Sequence, residues 1–135
     1  MIALAVANTV TTTMQNHYYT FGGFIHRQKD GSAIGSDLSG ELARNVMTVW
    51  DMKFLAMLKA NGIIIDMYSR YVDDQLEVCP PIMPGWDFCV KDKKMKYSED
   101  LARTDIEEPA IRTARILQKM ANTINPCIQL TFDTP

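Results

Sequence analysis

No lysine or arginine precedes Arg27 and no aspartate or glutamate precedes Asp30, so the chain opens without side-chain charge. A secretory leader needs a positive segment ahead of its apolar one. Here the apolar stretch from Met1 stops at Asn8, so the expected location is intracellular, nuclear or cytoplasmic, and not secreted. Long apolar runs are absent too. A membrane-spanning helix takes about 20 apolar residues, whereas the Ile63–Ile65 run ends at Asp66, so no membrane partner is expected. Cysteine is scarce: Cys79, Cys89 and Cys127 are odd in number, show no Cys-x-x-Cys spacing and lie far in sequence from His17 and His26. That pattern suggests neither a zinc site nor a disulfide scaffold, and a reducing compartment is the default. Neither sign of charge dominates. With 14 lysines and arginines against 16 aspartates and glutamates, the net charge is -2. Such a balance excludes a surface that is basic throughout, so any binding of nucleic acid must be local.

What remains has the composition of a globular domain, 47% hydrophobic and 22% charged over 135 residues, enough for one domain or part of one. Ile2 to Thr13 reads as a helix. Gly22-Gly23 reads as the turn of a hairpin, because paired glycines accept positive φ. Arg27 to Ser39 is a polar, glycine-bearing loop. Leu42, Val46, Val49, Phe54, Met57 and Leu58 recur at helical spacing, predicting a helix from Ser39 to Ala60 that Asn61-Gly62 ends. Ile63–Tyr68 and Gln75–Cys79 read as two antiparallel strands with Val72, Asp73 and Asp74 at their tip. Pro80-Pro81 and Pro84-Gly85 predict an irregular stretch. A last helix starts at Thr104, through a Thr-x-x-Glu capping box, or at Pro109. Its apolar stripe is Ala110, Ala114, Leu117, Ala121 and Ile124, with Arg112 and Arg115 elsewhere, and Ile128–Phe132 follows as a strand.

Two adjacent aspartates at a hairpin tip are informative, because a tight turn can aim both carboxylates at nearly one place. Clustered hard oxygens of this kind bind Mg²⁺, and the bound ion holds substrate phosphates and stabilises the attacking and leaving oxygens. A solvated acidic turn has the same spelling. Lys91, Lys93, Lys94 and Lys96 form the main basic cluster, suited either to phosphate contact or to solvation. The rings of Tyr18, Tyr19, Phe21 and Phe24 could stack on bases, although a hairpin packed on the core accounts for them at lower cost. His17 and His26 are expected to be strand or edge residues, and the nine methionines to fill gaps in the core.

Arg70-Tyr71-Val72-Asp73-Asp74 followed by an alternating strand resembles the Tyr-x-Asp-Asp hairpin of reverse transcriptases. Upstream, the run from Gln28 through Gly31, Gly35, Ser36 and Ser39 into Glu41-Leu42-Ala43 resembles that family's Gln-x-x-Gly-x-x-x-Gly-Ser-x-x-Ser loop and helix. Phe21-Gly22-Gly23-Phe24 is similar to the aromatic-glycine hairpin before that loop, and Ile124 to Phe132 to a strand beyond the next helix. The four motifs stand in family order over nearly the whole chain.

The resemblance implies an α+β fold: a small antiparallel sheet backed by helices, as in the palm of a right-hand polymerase. It implies RNA-directed DNA polymerase activity with Mg²⁺ as cofactor, or Mn²⁺ in its place, and with an RNA template, a DNA primer and dNTP as partners. Asp73 becomes a metal ligand and Asp74 its less demanding neighbour, both counted as catalytic. Tyr71 and Val72 lie beside the primer end, and Gln28, Gly31, Gly35 and Ser36 near the incoming nucleotide and template. Departures temper the match. Asp37 and Gly40 stand where the family usually has prolines, and Gln75 where it often has an apolar residue. The family's first catalytic aspartate lies on an upstream strand, yet Met1 to Lys29 holds no carboxylate. The expectation is therefore a partial domain, residues 1–135, without that strand or a thumb, inactive alone and completed by the remainder of a polymerase chain. The alternatives are a degenerate palm that only binds nucleic acid or a partner, and an unrelated α+β domain with an acidic turn.

Overall fold

The computed structural model describes residues 1–33 and 35–131. The chain is α+β and falls into two compact units that divide after Met47. The first holds α1 (Ile2–Gln15) and the hairpin of β1 (Tyr18–Phe21) and β2 (Phe24–Arg27). Gly22 and Gly23 make its turn with φ of 61° and 80°, the left-handed backbone that a two-residue hairpin turn of the primed type requires of both residues. Arg27 Nε donates to Gln15 O at 2.9 Å, and His17 Nδ1 accepts from Ala33 N at 3.1 Å, tying helix end, hairpin and following loop together. None of the described residues from Met1 to Met47 is buried.

Helix α2 (Asp37–Ala60) opens in the first unit and runs into the second. It starts two residues before the Ser39 of the sequence pattern, so that Asp37 lies in its first turn, where a carboxylate complements the positive end of the dipole. Within the second unit come three elements that the sequence pattern announces and three that it does not. Hairpin β3 (Met67–Tyr71) and β4 (Asp74–Val78) is the expected one, but its first strand starts at Met67, not Ile63. The partner sets that limit: Met67 pairs with Val78, and beyond Cys79 stand Pro80 and Pro81, which cannot donate to a ladder. Hairpin β5 (Trp86–Cys89) and β6 (Lys94–Tyr97) and helix α3 (Glu99–Thr104) have no counterpart in the sequence pattern. Lys94 and Lys96 therefore belong to a strand, and Asn61 holds it through its amide, accepting from Met95 N at 2.8 Å. Three two-stranded antiparallel hairpins thus stand in place of the one small sheet expected, among the described residues.

Helix α4 (Pro109–Ala121) has its proline at the first turn, as the second of the two possible starts requires. Thr104 instead ends α3, its hydroxyl donating back to Asp100 O. The buried face of α4 is Arg112, Thr113, Ile116, Leu117, Met120 and Ala121, not the stripe through Ala110 and Ala114. Arg112 is 2% exposed. Its guanidinium is satisfied by Asp105, by Glu107 O and by Ile82 O, and buried polar groups persist where they are bonded. Trp50, Phe54 and Leu58 of α2, Phe88 of β5 and this face of α4 are the buried residues of the second unit's core. The expected last strand is absent from 128–131 because α4 and its C-cap take its backbone groups: Asn122 bonds both Leu130 N and Leu130 O, and Gln118 shares the latter. Phe132 lies outside the described residues. Among the described residues no helix is long and apolar enough to cross a membrane.

Candidate functional site

Tyr71, Val72, Asp73 and Asp74 are brought together at the β3–β4 tip, where Tyr71 and Asp74 pair across a two-residue turn of Val72 and Asp73. All four are exposed. Val72 has φ of 56° while Asp73 stays out of the positive region. Positive φ at a β-branched residue crowds Cβ against the backbone and costs about 1–2 kcal/mol. The Val72 side chain is 74% exposed, so packing does not repay that cost. Val72→Gly is accordingly expected to raise the urea midpoint, with a net gain of about 0.5–1 kcal/mol after glycine's larger unfolded-state entropy; an unchanged or lowered midpoint would contradict strain at this turn.

Asp74 lies on the outward face of the hairpin and Asp73 in the turn, and neither carboxylate has a side-chain hydrogen bond or ion pair among the described residues. Two open carboxylates fit Mg²⁺, which keeps several positions for water and phosphate oxygens and takes one or two carboxylates from the protein. No group of three His, Cys, Asp or Glu is placed to hold a metal among the described residues.

The hairpin's two faces are inverted relative to simple patterning. Outward stand Met67, Tyr71, Leu76 and Val78, all exposed; inward stand Tyr68, Arg70, Gln75 and Glu77, half-buried. Sequence reasoning missed this inward network and its partner on α2, Asp51. Asp51 Oδ1 accepts from Tyr68 Oη at 2.5 Å and from Arg70 Nε at 2.8 Å. Arg70 also donates to Gln75 Oε1 at 2.6 Å and lies over the Trp50 ring at 5.0 Å. Gln75 in turn bonds Glu77. Gln75 is thus a bridge between an arginine and a carboxylate. The signal was present as polar residues alternating on both arms, Tyr68 and Arg70 against Gln75 and Glu77. Burial raises the Tyr68 pKa, and the bond to Asp51 adds to it. For Arg70 burial pulls down, but its bonds to Asp51 and Tyr68 prevail and the net direction is up. Burial pushes Glu77 up to about 7 against the pull of Arg70, and its Oε2 is buried without a hydrogen-bond partner among the described residues.

Gln28, Gly31, Gly35 and Ser36 belong to the first unit. Gln28 Nε2 donates to Asp30 O at 3.0 Å, bending the side chain over the loop. Gly31 and Gly35 have φ of 79° and 90°, and Ile34 between them lies outside the described residues. Ser36 O accepts from Ser39 N at 3.0 Å, and Ser39 Oγ donates to Ala33 O at 2.8 Å. The loop is thereby closed onto the start of α2.

In class the molecule is α+β, with four helices and three two-stranded antiparallel hairpins among the described residues. No known protein family, curated protein or solved structure matches it.

Proposed function

We propose that this chain is part of the palm of an RNA-directed DNA polymerase, with Asp73 and Asp74 at its metal-binding tip. The observation that supports the reading most is the β3–β4 hairpin, whose turn leaves both carboxylates exposed and without protein partners among the described residues. The ordered sequence motifs add the loop of Gln28, Gly31, Gly35 and Ser36. In the proposed reaction a primer 3′-hydroxyl attacks the α-phosphate of a dNTP. A phosphodiester forms, the bond to pyrophosphate breaks, and the hydroxyl proton passes to solvent. Mg²⁺, or Mn²⁺, supplies charge stabilisation to both oxygens when bound. Asp73 and Asp74 hold it, while Tyr71 and Val72 flank the primer end. The loop's open backbone at Gly31 and Gly35 lets template and nucleotide approach closely. A further carboxylate from outside residues 1–29 completes the site.

The test is primer extension by the full-length product of the native transcript. Asp73→Ala is expected to lower the rate by about a hundredfold or more, since even an outer-shell partner of a metal can be worth 10–100-fold. Equal rates in the two proteins would sink the assignment.

Asp37 favours a second reading, a degenerate palm that only binds nucleic acid. Its carboxylate occupies the first turn of α2, the helix end that otherwise attracts phosphate. Salt-dependent binding of a primer-template that is indifferent to Mg²⁺, without extension, would support that reading.

A further inference from the structure

We propose that the tip of the β5–β6 hairpin docks on the phosphate backbone of a nucleic-acid duplex through Lys91, Lys93 and Lys94. The inference rests on the nucleic-acid partner of the reading above, not on its metal chemistry. The cluster at residues 91–96 sets four lysines against one aspartate in a chain of net charge -2. As a sequence it fits phosphate contact and plain solvation equally well. The fold separates its members. Cys89 pairs with Lys94 across the strand ends, so residues 90–93 form the turn. Lys91, Lys93 and Lys94 thus stand together at one end of the hairpin, and all three are exposed.

The carboxylate that would cancel part of this charge is already engaged. Asp92 Oδ2 pairs with Lys96 Nζ and accepts from Cys89 Sγ at 3.5 Å. These bonds, the one from Lys96 first, hold the Asp92 carboxyl below its ordinary value. Lys96 is therefore the cation that the aspartate neutralises. Lys94 senses Asp92 only through space, and Lys91, Lys93 and Lys94 make no side-chain hydrogen bond or ion pair among the described residues. The backbone that carries them is fixed. Asn61, just past the end of α2, donates from Nδ2 to Met57 O at 2.9 Å and to Lys93 O at 3.4 Å, while its Oδ1 accepts from Met95 N. Lys93 itself has φ of 52°, a left-handed backbone that glycine or asparagine takes more readily than lysine. A lysine kept in an unfavourable backbone, with its side chain bonded to nothing, points to a use outside the fold.

The make-up of the patch selects phosphate over protein or lipid. Protein interfaces are rich in aromatic residues, Met and Arg and poor in Lys, whereas a lysine ammonium is a compact point charge suited to phosphate. Every cation of the tip is a lysine. The hairpin's rings, Trp86 and Tyr97, pair at its other end, and Val90 is the single apolar side chain of the turn. An anionic membrane is held by clusters of about 4–8 cations, more than the three left free here. A duplex offers one negative charge for about every 1.7 Å of its axis, dense enough for three neighbouring lysines to be engaged at once.

The experiment is a fluorescence-anisotropy titration of the full chain against a labelled DNA duplex of about 20 base pairs, between about 50 and 200 mM salt and without Mg²⁺. Wild type is expected to bind, with a log–log salt slope of about -2.7, since each phosphate neutralised contributes about 0.9. Lys91→Gln with Lys94→Gln is expected to reduce the slope to about -0.9 and to bind about tenfold or more weaker at the lowest salt. Lys53→Gln with Arg103→Gln removes the same charge from exposed sites elsewhere and is expected to bind as wild type does. Lys93→Gly is expected to lower the slope by about one while raising the urea midpoint, because glycine takes this backbone without strain. A wild type that does not bind at the lowest salt would overturn the proposal, as would an unchanged slope in Lys93→Gly. Equal losses in the two double variants would do the same, since net charge alone would then be read. Displacement by polyglutamate as readily as by unlabelled duplex would overturn it in favour of an acidic protein, and equal binding to phosphatidylserine vesicles in favour of a lipid surface. Asp73→Ala keeps the metal site apart from the tip. Duplex binding at the tip, with primer extension that Asp73→Ala leaves unchanged, would sink the polymerase reading alone. Extension that needs Asp73, with duplex binding indifferent to Lys91 and Lys94, would sink the docking proposal alone.

Discussion

Phe54→Ala is expected to lower the stability of the chain by about 3–5 kcal/mol, the usual cost of emptying a buried aromatic site. Phe54 is fully buried. Its ring stacks on Trp50 at 5.2 Å and stands 6.4 Å from Tyr68. Trp50 in turn lies under the Arg70 guanidinium, so Phe54 supports from below the same hairpin face that Asp51 holds through hydrogen bonds. Domains of this size have roughly 5–15 kcal/mol in total, and the loss takes a large share of it. A urea titration followed by circular dichroism checks the expectation. Phe54→Leu keeps most of the volume and is expected to cost about 1–2 kcal/mol. Met52→Ala, at a site on the same helix that is 68% exposed, is expected to stay within about 0.5 kcal/mol. A Phe54→Ala loss no larger than that of Met52→Ala would mean that α2 does not carry the core.

The elements legible in the sequence are those whose pattern is local. Gly22-Gly23 makes the first hairpin readable, since only a turn with positive φ at both residues uses two glycines this way. The 3.6-residue recurrence makes α2 readable from Leu42 to Leu58, and Pro109 marks the start of α4. What escapes is decided by partners distant in sequence. Trp86–Cys89 and Lys94–Tyr97 look irregular or merely basic until Trp86 meets Tyr97 with ring centroids 5.6 Å apart and Asn61 takes Met95 N. Arg112 reads as a solvent residue because its acceptors, Asp105, Glu107 O and Ile82 O, are invisible to a helical wheel.

The candidate site divides the same way. Asp73 and Asp74 at a tip are legible because strand–turn–strand is short-range. The face beneath them is not, because alternating apolar residues are expected to point inward. In the β3–β4 hairpin the reverse holds, with Met67, Tyr71, Leu76 and Val78 outside. A polar face can turn inward only if its groups satisfy one another. Asp51, Tyr68, Arg70 and Gln75 do so, and the member left short is Glu77, through its Oε2.

That shortfall gives Glu77 a measurable signature. Burial, opposed by Arg70, moves its pKa from an ordinary 4.5 to about 7. Folding therefore raises proton affinity at this site, and between pH 4.5 and about 7 the folded chain binds more protons than the unfolded one. Stability must then fall as pH rises across that window, and be indifferent to this group below and above it. Facing it are Tyr68, its cross-strand partner, and Arg70 from β3, Gln75 on its own strand and the Cys79 thiol just beyond it. Asp105, held down by Arg112, acts in the opposite sense but below its ordinary 3.8, as does Asp87, where burial works upward and the bonds from Lys119 and Phe88 N pull harder downward. Neither intrudes on the window above 4.5. A tenfold change in proton affinity on folding is worth about 1.4 kcal/mol; screening by water at a half-buried group brings the whole effect to roughly 1–2 kcal/mol. Glu77→Gln, a neutral isostere, is expected to match wild type near pH 4 and to exceed it by about that amount at pH 8, its urea midpoint no longer falling between. Parallel midpoint curves for the two proteins would show that Glu77 ionises freely in the fold, and that the inward face of the hairpin is open to water.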